Sequence, residues 1–110
     1  MRKGARELRR PNDPLLLILT SLASGPKHGY ALLKDVEEFG GVTLSPGTLY
    51  GAITRLEELG LIEPLAGDER RRPYRITTNG AQVLREIISE MRRLADVGVA
   101  RLRLAPGGAR

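Results

Sequence analysis

The sequence has no cysteine, no tryptophan and no apolar run long enough to cross a bilayer. Without cysteine, neither a disulfide framework nor a thiolate metal site can form, which fits a protein of the reducing cytoplasm. The most apolar stretch, "PLLLILTSLA" at residues 14–23, is about half the roughly 20 residues of a transmembrane helix, and it begins too far along the chain for a signal peptide. We therefore expect a cytoplasmic domain without a membrane segment.

Catalytic groups are also scarce, because the chain has one histidine and several of its acidic residues fall in adjacent pairs. His28 lies in a turn beside glycine with no carboxylate at a useful spacing, so we interpret it as a structural or backbone-contacting residue rather than a general base. Glu37 and Glu38, like Glu57 and Glu58, diverge by about 100° on a helix and cannot act together as acid and base. No metal-ligand spacing or phosphate-binding glycine loop occurs. The sequence therefore predicts no enzymatic activity, no metal site and no cofactor.

Positive charge is in excess, with a formal net charge of +5 at pH 7. Basic residues cluster in residues 1–10 and again in the "RRR" of residues 70–72. Such an excess favours an acidic partner such as nucleic acid. High genomic G+C content also raises the arginine content of proteins, so composition alone leaves both explanations open.

Two helices are predicted in the first 41 residues. Asn12 or Asp13 can cap the first helix, with Pro14 at its first position. This helix is apolar nearly all round, which places it at the centre of the core. The breaker cluster "ASGPKHG" ends it, and two glycines at residues 40–41 end the second helix. The second helix covers residues 30–39 and has one apolar face, formed by Leu32, Leu33, Val36 and Phe39.

The third helix, within "LSPGTLYGAITRLEELGLI", has two different sides. Ser45 is its cap, Pro46 opens its first turn, and Gly60 ends it as a left-handed C′ glycine does. The core side is a stripe at three- and four-residue spacing, formed by Leu49, Ala52, Ile53, Leu56 and Leu59. An ordinary surface helix carries lysine and glutamate on its other side, but this one carries small and polar residues, namely Gly47, Thr48, Tyr50, Gly51, Thr54 and Arg55.

A hairpin and a long helix complete the predicted fold. Residues 61–65 and 73–77 are two extended runs around the polar loop "AGDERRR", which predicts an antiparallel hairpin with a basic tip. Thr77 or Thr78 can cap the last helix, whose apolar stripe consists of Val83, Leu84, Ile87, Ile88, Met91, Leu94 and Ala95. The fold class is therefore mainly α with a small β-hairpin, a winged helix-turn-helix followed by a long C-terminal helix.

The chain divides into four predicted parts. These are a basic arm at residues 1–12, a winged helix-turn-helix DNA-binding domain at 13–78, a dimerisation helix at 79–104 and a flexible tail at 105–110. The last helix carries more apolar residues than contact with its own domain requires, which favours packing against a second copy. A helix that only covers its own domain is the alternative.

The order of the elements and the bare side of the third helix favour DNA binding. The major groove of B-DNA, about 12 Å wide, admits one helix whose outward side is not crowded. Gly47 and Gly51 permit close approach, and Ser45 together with the first N–H groups of the helix suits phosphate oxygens. The arginines of the hairpin tip can reach phosphates or the minor groove. The alternatives are helix–helix packing through Gly47 and Gly51, burial of Tyr50 against the second helix, and a merely solvated arginine loop.

Three blocks, "KHGYALLKDVE", "LSPGTLYGAITRLEELGLIE" and "RRPYRITTNGAQVLRE", together resemble the PadR family of bacterial transcriptional regulators. The resemblance covers about residues 15–94 and implies a homodimeric winged-helix protein, usually a repressor, that binds a pseudo-palindromic operator. It also implies that Tyr30 lies close to the DNA backbone and that Arg72 and Tyr74 belong to the wing. The last helix resembles the dimerisation helix of the smaller family members. The start of the family's recognition helix is matched by Ser45, Gly47, Thr48 and Tyr50.

The predicted function is sequence-specific binding of double-stranded DNA by a homodimeric regulator, in the bacterial cytoplasm and on the nucleoid when bound. The alternative is a winged-helix adaptor that binds proteins without specific DNA binding. Family members that bind flat aromatic drugs stack them on tryptophan, which this chain lacks, so a small-molecule effector stays unidentified. The predicted DNA interface consists of Lys27, His28, Tyr30, Ser45, Gly47, Thr48, Tyr50, Thr54, Arg55, Arg70, Arg71, Arg72 and Tyr74. The predicted dimer interface consists of Leu84, Ile87, Ile88, Met91, Leu94 and Ala95.

Overall fold

Four helices and a two-stranded hairpin make up the computed structural model, which describes residues 10–68 and 71–104. The mainly helical fold class with a small hairpin is thereby confirmed. The predicted tail and most of the predicted basic arm lie outside the described residues, as does Arg70. In chain order the elements are α1 (Pro14–Leu22), α2 (Gly29–Gly40), α3 (Pro46–Glu58), β1 (Ile62–Pro64), β2 (Tyr74–Ile76) and α4 (Thr78–Leu104).

Helix α1 occupies the centre of the core, as its apolar composition predicts. The Asp13 carboxylate caps it by accepting a hydrogen bond from the Leu15 N–H at 2.8 Å, and Pro14 stands in its first turn. It packs against α2, α3 and α4. Its buried apolar residues are Leu16, Leu17, Ile18, Leu19 and Leu22.

Left-handed glycines end α2 and α3. Gly41 has φ 65° after α2, and Gly60 has φ 74° after α3, where glycine has no Cβ to oppose that conformation. The prediction for Gly60 is therefore confirmed. Phe39, predicted on the apolar face of α2, is only partly covered, because the residue is 47% exposed. Phe39 lies in the last turn of α2, at the rim of an open groove shared with α1 and α4, so only half of its surface finds a partner.

The hairpin is tied to the segment before α2. Its strands are shorter than the predicted runs and pair antiparallel, with Pro64 opposite Tyr74. The Lys27 N–H donates to the Tyr74 carbonyl at 3.1 Å, and the Tyr74 N–H donates to the Lys27 carbonyl at 2.9 Å. Arg75 binds Glu63 across the hairpin, with Nε 3.1 Å from Oε1. Backbone pairing on both edges of β2 therefore sets the position of the hairpin relative to the helices.

The start of α4 packs at Gly80 against Leu61, the residue before β1, and against β2. The Thr77 hydroxyl accepts from the Gly80 N–H at 2.9 Å and donates to the Gly60 carbonyl at 2.7 Å, so Thr77 caps α4. A β-carbon on Gly80 would lie 2.0 Å from the carbonyl oxygen of Leu61 and 2.9 Å from Cγ1 of Ile76. Neither the rigid backbone oxygen nor the packed strand can yield by that distance. Only glycine fits at this crossing.

We expect Gly80→Ala to destabilise the fold by about 3 kcal/mol, because α4 must lift away from Leu61 and β2 to relieve the overlap. The free energy of unfolding in urea measures the effect. Gly51→Ala is the matched control, because a β-carbon on Gly51 meets no atom within 4 Å. Alanine in that exposed helical position should stabilise the protein by about 1 kcal/mol. Equal effects of the two substitutions would contradict the crossing at Gly80.

The apolar stripe of α4 divides into a buried and an exposed half. Leu84 and Ile87, predicted to face a second copy, are 5% and 2% exposed in the core of their own domain and are unavailable to a partner. Ile88 is 40% exposed, Met91 is half-buried, and Leu94 is 75% exposed. Ala95 and the residues that follow are exposed up to residue 103. Across the described residues, no helix combines the length and the apolar character that a membrane span needs.

Candidate nucleic-acid interface

The outward side of α3 is open and small. Leu49, Ile53 and Leu56 are almost fully buried, which fixes the opposite side of the helix towards solvent. A β-carbon on Gly47 or on Gly51 would meet nothing within 4 Å. Packing against another helix of the described chain therefore does not account for the two glycines. The other exposed residues on this side of α3 are Thr48, Tyr50 and Thr54.

The N-terminus of α3 offers donors to a ligand. The Ser45 hydroxyl accepts from the Thr48 N–H at 3.1 Å and donates to the Thr48 hydroxyl at 3.0 Å, so it is occupied as the cap. The Thr48 hydroxyl thus accepts and keeps its own hydrogen for an outside acceptor. Pro46 has no N–H, and within the described residues the Gly47 N–H has no hydrogen-bond partner. The positive end of the helix dipole favours an anion there.

Thr54 and Arg55, further along α3, each interact with another residue of the same helix. The Thr54 hydroxyl donates to the Tyr50 carbonyl at 2.9 Å, which leaves its methyl group and its lone pairs for contacts outward. Arg55 lies 3.5 Å from the Glu58 carboxylate, and the two side chains are 40% and 60% exposed. An exposed pair of this kind is weak, because solvent screens it.

The N-terminus of α2 lies beside Tyr50. His28 caps α2, with Nδ1 3.5 Å from the Ala31 N–H, which supports a backbone-contacting role. Tyr30 is 65% exposed, and the Lys34 ammonium lies 5.6 Å from the centre of its ring. Tyr50 is 51% exposed and its phenol end lies against Gly29, so it is half-buried against α2, as one of the alternatives predicts.

Lys27 is held inside the domain, although the sequence places it in the DNA interface. Its ammonium donates to the Ser21 carbonyl, to the Ser24 hydroxyl at 2.7 Å and weakly to the Gly25 carbonyl at 3.5 Å. The carboxylate of Asp35 is 3.9 Å away and also accepts from the buried Ser21 hydroxyl at 2.5 Å. The lysine thereby joins the end of α1 to α2. We therefore leave Lys27 out of the candidate interface.

The hairpin brings Tyr74 close to α3, with Arg72 near Tyr74. Burial raises the pKa of the Tyr74 hydroxyl, and the nearby negative charge of Glu57 raises it further, while Arg72 lowers it. The hydroxyl therefore stays protonated and can donate a hydrogen bond. Arg71 is exposed, and its N–H donates to the Asp68 carboxylate at 2.9 Å, which shapes the turn. Arg72 thus lies near Tyr74, and Arg71 is exposed at the same turn.

Sequence reasoning missed two glycines that shape this region. Gly29 and Gly80 both stand where a side chain would overlap another element. Each lies inside a quoted block, Gly29 in "HGY" and Gly80 in "TTNGA", but the overlap involves residues far away in the sequence. Among the described residues, no group of three histidine or acidic side chains could hold a metal ion.

Comparisons with a family model and with known proteins both identify transcriptional regulators as similar to this chain. The family described as "Transcriptional regulator PadR-like family" matches residues 18–86. An uncharacterized 37.1 kDa protein in transposon TN4556 of Streptomyces fradiae is 43% identical over 86 residues, which cover 78% of this chain and 25% of that protein. Transcriptional regulator YqjI of Escherichia coli (strain K12) is 36% identical over 73 residues, which cover 64% of this chain and 35% of the regulator. The chain thus spans between a quarter and about a third of the length of these two relatives.

A solved structure extends the likeness along the chain. The crystal structure of a PadR family transcription regulator from hypervirulent Clostridium difficile R20291 is 30% identical in sequence. It superposes with a TM-score of 0.71, covering 81% of this chain and 97% of that chain. The likeness therefore extends beyond the residues that the family match covers.

Proposed function

Because this chain belongs to the PadR-like family of transcriptional regulators, we propose that it binds double-stranded DNA with α3 in the major groove. The observation that carries the proposal is the open side of α3, where Gly47 and Gly51 have no neighbour within 4 Å. A helix with glycine at two exposed positions sacrifices about 1 kcal/mol of stability at each. Close approach of a groove wall to the helix backbone explains why that loss is accepted.

Contacts to the DNA backbone surround α3. The Gly47 N–H and the Thr48 hydroxyl are donors available to a phosphate, and the positive end of the helix dipole adds to them. Tyr50 and Tyr30 present exposed phenols near the start of α2. The hairpin supplies cations on the other side of α3. The protein then reads bases with α3 and grips phosphates on both sides of it.

The exposed half of α4 joins two copies. Leu94, Val99 and Leu102 are 75%, 46% and 59% exposed on a helix that extends beyond the core of its own domain. A second copy is the occupant that covers the same stripe on both chains at once. Two recognition helices related by a two-fold axis would meet successive major grooves about 34 Å apart, so the operator is pseudo-palindromic. Bound across a promoter, such a dimer represses by blocking access.

Binding to the DNA upstream of its own gene tests the proposal. We expect tighter binding to that duplex than to a random duplex of equal length, with the logarithm of the association constant falling linearly with the logarithm of salt concentration. Footprinting should then show two protected half-sites about ten base pairs apart. Equal affinity for both duplexes at every salt concentration would overturn the proposal and favour the protein-binding adaptor.

The double substitution Arg71→Ala with Arg72→Ala should weaken binding to operator and random duplex alike. Two lost phosphate contacts reduce the slope of the salt dependence by about two. Titrations at four or more salt concentrations measure it. Arg92→Ala with Arg93→Ala removes the same charge from an exposed part of α4 and serves as the control. A slope that both double variants change equally would show a general charge effect instead of a wing contact.

A further inference from the structure

We infer that Gly29 is a positioning residue for DNA binding, which acts by seating the Tyr50 hydroxyl. The inference rests on the DNA binding proposed above. A β-carbon on Gly29 would lie 2.6 Å from the Tyr50 hydroxyl oxygen, 3.2 Å from Cζ and 3.5 Å from Cδ2 of Leu49. Gly29 is buried, although it stands at the first position of a surface helix. The phenol of Tyr50 covers the space that any side chain at this position would need.

The backbone at Gly29 does not itself require glycine. Positive φ angles in the described chain are confined to Gly25, Gly41, Gly60 and Gly67. Alanine also has the higher helix propensity, so α2 alone would favour it. The β-carbon of an alanine, however, would overlap the Tyr50 phenol. The glycine is therefore explained by Tyr50 and by no property of α2.

The Tyr50 ring packs against α2, but its hydroxyl has no hydrogen-bond partner among the described residues. Its hydroxyl makes no hydrogen bond with any residue in the ranges 10–68 and 71–104, and half of the side chain is exposed. The ring joins α3 to the N-terminus of α2, next to the exposed Tyr30. A hydroxyl fixed in place but left unbonded is preorganised for an outside acceptor, which the proposed function identifies as a DNA phosphate.

A double-substitution cycle separates positioning from other roles. Gly29→Ala, Tyr50→Phe and the double variant are titrated with the same duplex at one salt concentration. We expect Gly29→Ala to weaken binding about tenfold, because the displaced hydroxyl loses a hydrogen bond to a charged group. In the Tyr50→Phe background, where that bond is already absent, the same alanine should weaken binding less than about twofold. The melting temperature should change little in either background, because the exposed ring can swing outward.

Gly40→Ala is the matched control, a glycine-to-alanine change at the other end of α2. Its β-carbon would lie 3.4 Å from Cδ2 of Leu17, an ordinary contact, so DNA affinity should stay as it is. An equal loss in both Tyr50 backgrounds would overturn the inference, since the alanine would then act on the DNA directly. No loss in the native background would overturn it as well.

A measurement without DNA keeps the inference separate from the proposed function. NMR signals of the Tyr50 ring, assigned by their disappearance in Tyr50→Phe, should shift in Gly29→Ala and not in Gly40→Ala. Unshifted signals in Gly29→Ala would overturn the seating of Tyr50 even if the protein binds its operator. Failure of the native protein to prefer its operator, with shifted signals, would instead overturn the proposed function alone.

Discussion

A Gly51→Glu variant should lose on the order of a hundredfold in affinity for duplex DNA while melting at or above the temperature of the native protein. Gly51 is exposed in the middle of α3, and nothing lies within 4 Å of its absent β-carbon. Glutamate is the better helix former, so the fold should gain slightly in stability. In the groove, however, the longer side chain keeps the helix away from the bases, and its charge repels the phosphates. Fluorescence anisotropy and thermal unfolding measure the two effects separately.

Two control variants separate the effect of the glutamate's charge from the effect of its bulk. Ala100→Glu adds the same charge at an exposed position of α4 and should reduce affinity only slightly. Gly51→Ala adds bulk without charge, and any loss of affinity it causes measures how closely the groove wall approaches the helix backbone. Native affinity in Gly51→Glu would remove α3 from the interface. A large fall in its melting temperature would show instead that the position packs against the protein.

The double substitution Leu94→Asp with Leu102→Asp should convert the protein to monomers and weaken operator binding at the same time. Both leucines are largely exposed in the isolated chain, so the domain should fold normally. In a dimer the two changes would bury four carboxylates, which is far more unfavourable than leaving them in water. Light scattering gives the mass, and footprinting should show that cooperative occupancy of two half-sites is lost.

Ser89→Asp with Ala100→Asp is the control for charge on the same helix, at exposed positions on its polar side. This variant should remain a dimer. If Leu94→Asp with Leu102→Asp also remained a dimer, the second copy would have to bind elsewhere. Leu84→Asp is unsuitable for this purpose, because Leu84 is 5% exposed and its replacement would unfold the domain itself.

Local chemistry made most of the fold predictable. The caps at Asp13 and Ser45, the left-handed Gly60 and the core stripe of α3 each depend on residues within a few positions of one another. Such signals are legible because the spacing of a helix fixes which residues meet. The open side of α3 was also predictable, since small residues replaced the usual charged ones.

Contacts between distant segments were not predictable. The overlap that excludes a side chain at Gly29 involves Tyr50, and the one at Gly80 involves Leu61. The ammonium of Lys27 binds a carbonyl of α1, which no spacing rule indicates. A lysine in a turn looks like a free cation in the sequence. Only the packing of α1 against α2 shows that it is engaged.

The apolar stripe of α4 is one continuous pattern, although only its first half is buried in the domain. Residues at three- and four-residue spacing continue without interruption from Leu84 to Leu94, but the first is in the core and the last is in solvent. Periodicity reports which side of a helix is apolar and not what covers it. The division between the intramolecular half and the exposed half therefore needed the positions of α1 and the hairpin.

The two glycines of α3 also make it a poor helix by itself. Within the 13 residues of Pro46–Glu58, glycine at two places weakens the tendency to form helix, and an isolated segment of that length is marginal even for strong helix formers. The shape that fits the groove is therefore imposed from behind, by the side chains that α3 buries. The shape of the DNA-facing side of α3 therefore depends on the hydrophobic core. A core substitution far from any phosphate can disturb that shape.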